Sequence, residues 1–277
     1  LFENMHVSER FILKLLPYGA MATVCDVVEL KGENRIIVKE GLEALKTNND
    51  IGINALINQC KLNKKNLDSY HFGFILGPSL NASGRLDTAK KAMDLLECED
   101  EKHAEVLAES LKKLNDERKD LTEKGTKEAI EKAEQLDDSV LVIYLEHCHE
   151  SIAGIIAGRV REKYNKPTIV LTDAVEGVKG SGRSIEEYDM YAELTKVKEL
   201  FTKFGGHKMA AGVSLPKENI DILRKKLNEN CNLTQEDLYL KVWIDMQLPL
   251  EYVTMNMIQE LSIIKPFGKG NEKPIFA

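Results

Sequence analysis

Apolar and polar residues follow three patterns along the chain, which divide it into a helical part, a charged part and an α/β part. In residues 7–60, apolar positions recur at helical spacing, with a break at the Asn-Asn-Asp of residues 48–50. In residues 137–260, short apolar runs alternate with amphipathic segments, as in proteins whose helices flank a sheet. The sequence therefore predicts an α/β protein whose first part is mostly helical.

The helical part ends in a segment that is rich in turn-forming residues. The apolar run "FGFIL" leads into "GPSLNASGRL", whose glycine, proline, asparagine and serine content predicts a loop over residues 77–86. The next segment, "DTAKKAMDLL", predicts a further helix with Asp87 as its N-cap.

Residues 98–136 predict one long charged helix. They lack proline and place Leu107, Leu111, Leu114 and Leu121 on a narrow seam. An unbroken helix here would extend about 60 Å at roughly 1.5 Å per residue. A solvated helix with one apolar stripe and a coiled-coil dimer fit this seam equally well. The change of composition on both sides favours a connector between two domains.

The last part predicts a mixed sheet. A helix, "ESIAGIIAGRVREKYN", separates the strands "SVLVIYLE" and "KPTIVLTDA", and such a crossover makes the two strands parallel. Further strands are predicted at "EGVKGSGRS", "KMAAGVSLP" and "LYLKVWIDMQLP". Helices are predicted over "EEYDMYAELTKVKELFTKF", "KENIDILRKKLNENC" and "MNMIQELSII".

Composition narrows the class of protein. With 43% apolar and 30% charged residues, the 277-residue chain is typical of a globular protein, and no apolar run approaches the roughly 20 residues that cross a bilayer. Five scattered cysteines indicate reduced thiols and a cytoplasmic protein. The net charge of −7 counts against a nonspecific nucleic-acid binder but allows a local basic cleft. Both termini, Leu1 and the apolar run "KPIFA", suggest cuts through a longer protein.

Two glycine-rich motifs, "GSGRS" and "FGGHKMAAG", are the first candidate for chemistry. Glycines bring backbone N–H groups close to an anion, arginine is a forked phosphate donor, and histidine can donate to phosphate or stack on a base. Spacing alone favours a purely structural role for these glycines, as a helix C-cap followed by a strand. The candidate groups are Ser181, Arg183, Ser184, Gly205, Gly206 and His207.

Three other candidates are weaker. Asn81 and Arg85 could contact phosphate, although bonds that fix their own loop explain them as well. The "HCHE" of residues 147–150 suggests zinc but lacks a third ligand at metal spacing. Asp26 lies in the apolar run "MATVCDVVEL", where a carboxylate must be paired, hydrogen-bonded or bound to a cation.

Together these segments resemble the RecJ family of single-stranded-DNA-specific exonucleases, in the DHH phosphoesterase superfamily. "ATVCDVVELKGENRIIVKEGLEAL" resembles the family's fourth motif, whose metal-binding aspartate would be Asp26. "LGPSLNASGRL" resembles the family loop GPRxNAxGRL and matches it at Asn81, Gly84 and Arg85, with Ser79 in place of arginine. "LNDERKDL" resembles the family's connector helix.

The resemblance continues through the α/β part. "HESIAGIIAGRVREKYNKPTIVL" is similar to WHxGVIGIVAxRLxExYxRPxIVL and matches it at His149, Gly154 and Arg159, with Cys148 in place of tryptophan. "GSGRS" and "FGGHKMAAG" resemble the signature of the DHH-associated domain, and "IIKPFGKGNEKPIF" resembles the segment that leads into an OB-fold. The matches cover nearly the whole chain in the family's order.

The resemblance implies four regions. Residues 1–97 would be the end of the DHH catalytic domain, 98–136 the connector helix, 137–260 the DHH-associated domain and 261–277 the exit toward an OB-fold. The Asp-His-His triplet that names the superfamily does not occur in the chain, so the first three metal motifs are expected to precede Leu1.

The implied activity is 5′–3′ hydrolysis of single-stranded DNA with Mn²⁺ or Mg²⁺ in repair and recombination, with a helicase and a single-strand-binding protein as partners. Asp26 would bind metal, and both Asp26 and His207 would be catalytic. This chain itself is expected to bind nucleotides without cleaving them. A phosphodiesterase for oligonucleotides or cyclic dinucleotides and a non-catalytic nucleotide-binding module are the alternatives. The phosphate- or nucleic-acid-binding residues would be Asn81, Arg85, His149, Arg159, Ser181, Arg183, Ser184, Gly205, Gly206 and His207.

Overall fold

The structure is a computed structural model that describes residues 9–277. These residues form two compact units, one made of residues up to Asp116 together with Val242–Ala277, and the other of Glu117–Lys241. None of the helices described in this range is long and apolar enough to cross a membrane.

The helices and strands are numbered in chain order. The helices are α1 (Glu9–Cys25), α2 (Gly32–Thr47), α3 (Ile51–Gln59), α4 (Ser69–His71), α5 (Gly77–Leu86), α6 (Lys90–Leu96), α7 (Glu101–Ala133), α8 (Glu150–Tyr164), α9 (Met190–Thr195), α10 (Ile220–Glu229) and α11 (Met255–Leu261). The strands are β1 (Leu141–Tyr144), β2 (Thr168–Asp173), β3 (Val178–Arg183), β4 (Lys203–His207) and β5 (Ala210–Leu215). A π-helical turn, Phe72–Leu76, joins α4 to α5.

The helices predicted in the first part are present as α1, α2 and α3. Asp50 stabilises the start of α3, because its carboxylate accepts the backbone N–H of Ile53 at 2.8 Å and the hydroxyl of Tyr18. Val38, Leu42 and Leu45 of α2 belong to the core of this unit. Apolar spacing was therefore a sufficient guide to these elements.

The loop predicted over residues 77–86 is wrong, because this segment forms α5. Gly77 is needed for close packing, since an added Cβ would lie 2.3 Å from Sγ of Cys25. Pro78 lies in the first turn of α5, directly after the π-helical turn of Phe72–Leu76. The predicted N-cap is also wrong, because Asp87 follows the end of α5 and the N-cap position of α6 is Ala89.

The long helix predicted over residues 98–136 is confirmed as α7, whose 33 residues extend about 50 Å at 1.5 Å per residue. Its buried stripe in the first unit differs from the predicted leucine seam. Of the seam leucines only Leu111 is fully buried. The buried residues of α7 in this unit are Ala104, Ala108, Leu111 and Asn115.

The second unit contains a mixed five-stranded sheet in the order β1-β2-β3-β5-β4. Strands β1 and β2 are parallel, as the crossover predicts, and the remaining pairs are antiparallel. Apolar residues fill both faces. One core includes residues of β1, β2, β3, β5, α9 and α10, and the other includes residues of α7, β1, β2 and α8. The predicted α/β class with a mixed sheet is confirmed.

Two predictions for the second half of the chain are wrong. The helix predicted to run through residue 204 ends early, and "KFGGH" forms the edge strand β4 instead of a helix end and turn. "LYLKVWIDMQLP" forms no regular strand in the described structure. A strand needs a hydrogen-bonded partner, and the pairing found in this segment is an isolated bridge between Met246 and Phe276.

We predict that Asn228→Ala destabilises the second unit. The Asn228 side chain accepts the N–H groups of Ser139 at 2.9 Å and Val140 at 3.0 Å, and it donates to the carbonyls of Val140 and Arg224 at 2.9 Å each. Removing these bonds should lower the free energy of unfolding by about 2–3 kcal/mol.

Urea denaturation of this variant and of the exposed control Asn232→Ala would measure the difference. Equal unfolding midpoints for the two variants would contradict the structural role of Asn228.

Candidate nucleic-acid site

Three rows of residues cross β3, β5 and β4 on the side of the sheet that faces α8. Alternate residues of a strand share a face, and the strand register fixes which residues lie side by side. The rows are Arg183, Ala210 and His207; Ser181, Gly212 and Gly205; and Lys179, Ser214 and Lys203. The two motifs that the sequence singled out therefore meet on one surface.

The middle row has almost no side chains, and this absence creates a cleft of about 550 Å³. A Cβ added at Gly205 or Gly212 would meet nothing within 4 Å, so both positions open into free space. Glu150 and Ser151, at the start of α8, line one wall. We call this feature the glycine cleft.

His207 ends β4 at the rim of this surface and is exposed. Its Nδ1 accepts the backbone N–H of Met209 at 3.2 Å. A neutral imidazole in this arrangement carries its hydrogen on Nε2, where it can be donated to a phosphate oxygen.

Gly206 allows β4 to approach β5 closely. A Cβ at this position would lie 2.3 Å from the carbonyl oxygen of Ala210 and 2.6 Å from Cα of Ala211. Gly205 and Gly206 therefore serve different purposes, the first to leave the cleft open and the second to let two strands pair.

Arg183 ends β3 in the same row as His207. Its Nη1 donates to the carbonyl of Gly182 at 2.8 Å. A Cβ added at Gly154 of α8 would lie 2.8 Å from Nη2, so this small helix residue makes room for the guanidinium. Sequence reasoning assigned Gly154 no role beyond its match to the family pattern.

The structure gives three candidates in this unit different surroundings. Ser184 is buried, with 1% of its surface exposed, and its hydroxyl donates to the carbonyl of Tyr188 at 2.7 Å. His149 is the N-cap of α8, with Nδ1 accepting the N–H of Ser151 at 3.3 Å. Arg159 is exposed on α8 and does not line the glycine cleft.

The candidates of the first unit lie on α1 and α5. Asp26 follows the end of α1 and is exposed, so its carboxylate does not need the partner that a position inside an apolar run would require. The apolar run ends in a turn, in which Val27 has a φ of 55° and is also exposed. Asn81 and Arg85 are exposed and four residues apart on α5, so they share a helix face.

A buried polar contact that sequence reasoning missed supports α5. Ser79 is fully buried, donates to the carbonyl of Ile75 at 2.7 Å and accepts from Nδ2 of Asn115 at 3.1 Å. Asn115 lies on the buried stripe of α7. Its spacing from Ala108 and Leu111 was the available signal, because the stripe continues at i, i+3, i+7.

The described residues do not fit a complete Mn²⁺ or Mg²⁺ site. Between residues 9 and 277 there is no group of three or more histidine, cysteine, aspartate or glutamate side chains that could hold a metal ion. Asp26 alone supplies one carboxylate. Cys148 in "HCHE" is not a ready thiolate ligand, since burial, with a smaller effect of Glu128, raises its pKa to about 11.

Lys179 and Lys203 are the basic groups of the glycine cleft, and sequence reasoning missed both. Lys179 pairs with Glu150 at 3.1 Å, whereas Lys203 forms no ion pair with any of the described residues. The period-two pattern of β3 and β4 would place both lysines on the face of Ser181 and Gly205. The sequence does not give the strand register that places the two lysines in one row, and the structure does.

Family models match two stretches of the chain: a DHHA1 domain at residues 137–233 and a RecJ OB domain at residues 244–277. The glycine cleft lies within the first stretch. The single-stranded-DNA-specific exonuclease RecJ of Bacillus subtilis is 37% identical over 267 residues, which cover 94% of this chain and 34% of that protein. The chain belongs to the RecJ family.

Solved structures agree with this placement. RecJ of Thermus thermophilus in complex with Mg²⁺ matches with a TM-score of 0.88 at 26% identity, over 99% of this chain and 43% of that one. Its complex with Mn²⁺ matches with a TM-score of 0.86 at 25% identity, over 99% and 41%. The chain thus spans between about a third and a half of the length of the RecJ proteins it matches.

We predict that alanine substitutions at the two adjacent glycines have different effects on the free energy of unfolding. Gly206→Ala should lower the free energy of unfolding by about 1–3 kcal/mol, because its Cβ meets the backbone of β5. Gly205→Ala should stay within about 0.5 kcal/mol of the parent, because its Cβ enters open space. Thermal denaturation of the two variants measures the difference, and equal destabilisation would contradict the described pairing of β4 with β5.

Proposed function

We propose that this chain is the nucleotide-binding part of a single-stranded-DNA-specific 5′–3′ exonuclease that acts in DNA repair and recombination. The observation that carries the proposal is the row in which Arg183 and His207 flank Ala210 at one end of the glycine cleft. This row lies in the stretch that matches the DHHA1 domain. The name and activity of the RecJ relatives support the proposal.

In this proposal the row holds the terminal phosphate of the strand. The two flanking residues are two strands apart, about 10 Å between backbones, so they approach a bound group from opposite sides. Nε2–H of His207 and the guanidinium of Arg183 donate to phosphate oxygens, and Ser181 adds a hydroxyl from the next row. Holding the phosphate in this way orients the scissile bond, which can contribute several powers of ten to a rate.

The remaining assignments support the same enzyme. We propose Asp26 as one metal ligand and Asn81 and Arg85 as phosphate-binding residues on α5. When bound, Mn²⁺ or Mg²⁺ would activate water and stabilise the leaving oxygen. RecJ of Thermus thermophilus has been solved with both ions. His149 and Arg159 remain proposed nucleic-acid contacts outside the glycine cleft.

The wider context is also proposed. Single-stranded DNA is the substrate, and a helicase and a single-strand-binding protein are the expected partners. The scattered cysteines favour the cytoplasm. The domain boundaries at residues 97, 136 and 260 also remain proposals. The compact units and the family matches have other bounds, at residues 116 and 241 for the units and at 137–233 and 244–277 for the family models.

We predict that His207→Ala or Arg183→Ala in the complete gene product lowers kcat by about 10²-fold or more, because a misplaced phosphate reacts slowly. Neither change should alter the melting temperature by more than a few degrees, since both side chains lie near the surface. Hydrolysis of 5′-labelled single-stranded DNA, RNA and cyclic dinucleotides would be measured in parallel, so that the substrate class is tested together with the residues.

The control is His103→Ala, an exposed histidine on α7. Parent-like kinetics in a folded His207→Ala protein would refute the assignment. Preference for cyclic dinucleotides over single-stranded DNA would favour the alternative phosphodiesterase.

We also predict that residues 1–277 by themselves bind nucleotides but do not hydrolyse DNA. Two-metal hydrolysis needs several ligands around ions roughly 3.5–4 Å apart, and the described residues supply no such group. Purified chain would be incubated with Mn²⁺ and labelled single-stranded DNA, with a chelator control. Metal-dependent nucleotide release that follows the chain through purification would show that the active site has been misplaced.

A further inference from the structure

The glycine cleft extends away from the row that carries Arg183 and His207. Its lining includes the middle row, the row of Lys179, Ser214 and Lys203, and the start of α8, but neither Arg183 nor His207. Four residues separate the outer rows along each strand, which corresponds to about 13 Å. The concave volume is therefore on the lysine side of the glycines.

The lysine side is suited to an anion. Lys203 lies on the edge strand β4, is exposed and has no ion-pair partner among residues 9–277. Lys179 lies on β3, two strands away, so the two ammonium groups flank Ser214 from positions about 10 Å apart. Ammonium groups bind phosphate as compact point charges without a fixed orientation.

We propose that Lys203 and Lys179 form a second phosphate subsite, which holds an internal phosphate of the DNA strand whose terminal phosphate lies at Arg183 and His207. The inference rests on the proposed function. The cleft volume of about 550 Å³ falls within the range of small-molecule sites, about 300–1,000 Å³, so the sugar and base between the phosphates can be accommodated. The site thus recognises an oligonucleotide over more than one nucleotide.

Glu150 limits the charge of this subsite. Its Oε2 lies 3.1 Å from Nζ of Lys179, so the carboxylate neutralises part of the ammonium charge that would otherwise attract phosphate. A carboxylate beside an anion site also repels the anion. Lys203 consequently supplies the unopposed charge, and Glu150 weakens the subsite.

The test uses residues 1–277 with two probes, thymidine 5′-monophosphate and a 5′-phosphorylated oligothymidylate of six nucleotides, over a series of salt concentrations. Lys203→Gln should leave the Kd of the mononucleotide unchanged and weaken hexanucleotide binding roughly three- to tenfold at low salt. The slope of log affinity against log salt should become shallower by about 0.7, the value for one phosphate contact on a single strand. Glu150→Gln should tighten hexanucleotide binding, a gain that misfolding cannot produce.

The matched control is Lys198→Gln. Lys198 is an exposed lysine next to Val197, which belongs to the core on the opposite face of the sheet. This control should bind both probes like the parent chain.

The outcomes separate the subsite from the proposed function. If Lys203→Gln and Glu150→Gln match the parent on the hexanucleotide while Arg183→Ala loses the mononucleotide, the subsite is refuted and the proposed function stands. If Lys203→Gln weakens both probes equally, the lysine row belongs to a single phosphate site and the inference fails. If the folded parent chain binds neither probe, both proposals fail.

Discussion

The antiparallel pairing of β5 with β3 on one side and β4 on the other is the constraint on which the candidate site depends. Backbone hydrogen bonds set this register, and the register alone brings "GSGRS" and "FGGHKMAAG" into shared rows. A shift of one residue on β4 would turn Gly205 and His207 to the opposite face, where the apolar core lies. The chemistry of the surface is thus specified by strand pairing before any side chain acts.

Close packing explains why small residues accompany this pairing. Gly206 lets the β4 backbone approach Ala210 and Ala211, and Gly154 lets α8 lie against the Arg183 guanidinium. In both places an added methyl group would collide with a group that has to stay, backbone in one case and the proposed phosphate donor in the other. Gly205 and Gly212 are different from these two glycines, because a side chain at either position would have free space. Close packing therefore requires Gly206 and Gly154, whereas Gly205 and Gly212 keep the cleft open.

Sequence reasoning succeeded where the signal was local. Helical periodicity predicted α1–α3 and α7, and the β–α–β pattern predicted that β1 and β2 are parallel. It failed where a distant contact reversed a local preference. "GPSLNASGRL" contains turn-forming residues, but Gly77 packs on Cys25 and the segment is helical. "KFGGH" has poor strand propensity, yet pairing with β5 makes it a strand. The row of Lys179, Ser214 and Lys203 could be recognised only from the same strand pairing. The sequence motifs therefore indicated only the end of the cleft that carries Arg183 and His207.

Charge placement, more than total charge, determines what this surface can bind. The chain carries a net charge of −7, but at an ionic strength near 0.15 M exposed charges more than about 8 Å apart are largely screened from each other. A phosphate in the glycine cleft therefore responds mainly to the two lysines and Glu150 around it. The groups proposed to hold phosphate at the cleft all lie in one compact unit, whereas the described residues lack a metal ligand set. In the proposed function Arg183 and His207 both bind the strand and orient the scissile bond, whereas Glu150 and Lys203 lie at the other end of the cleft. Affinity could then change through Glu150 or Lys203 without any change at the reacting bond.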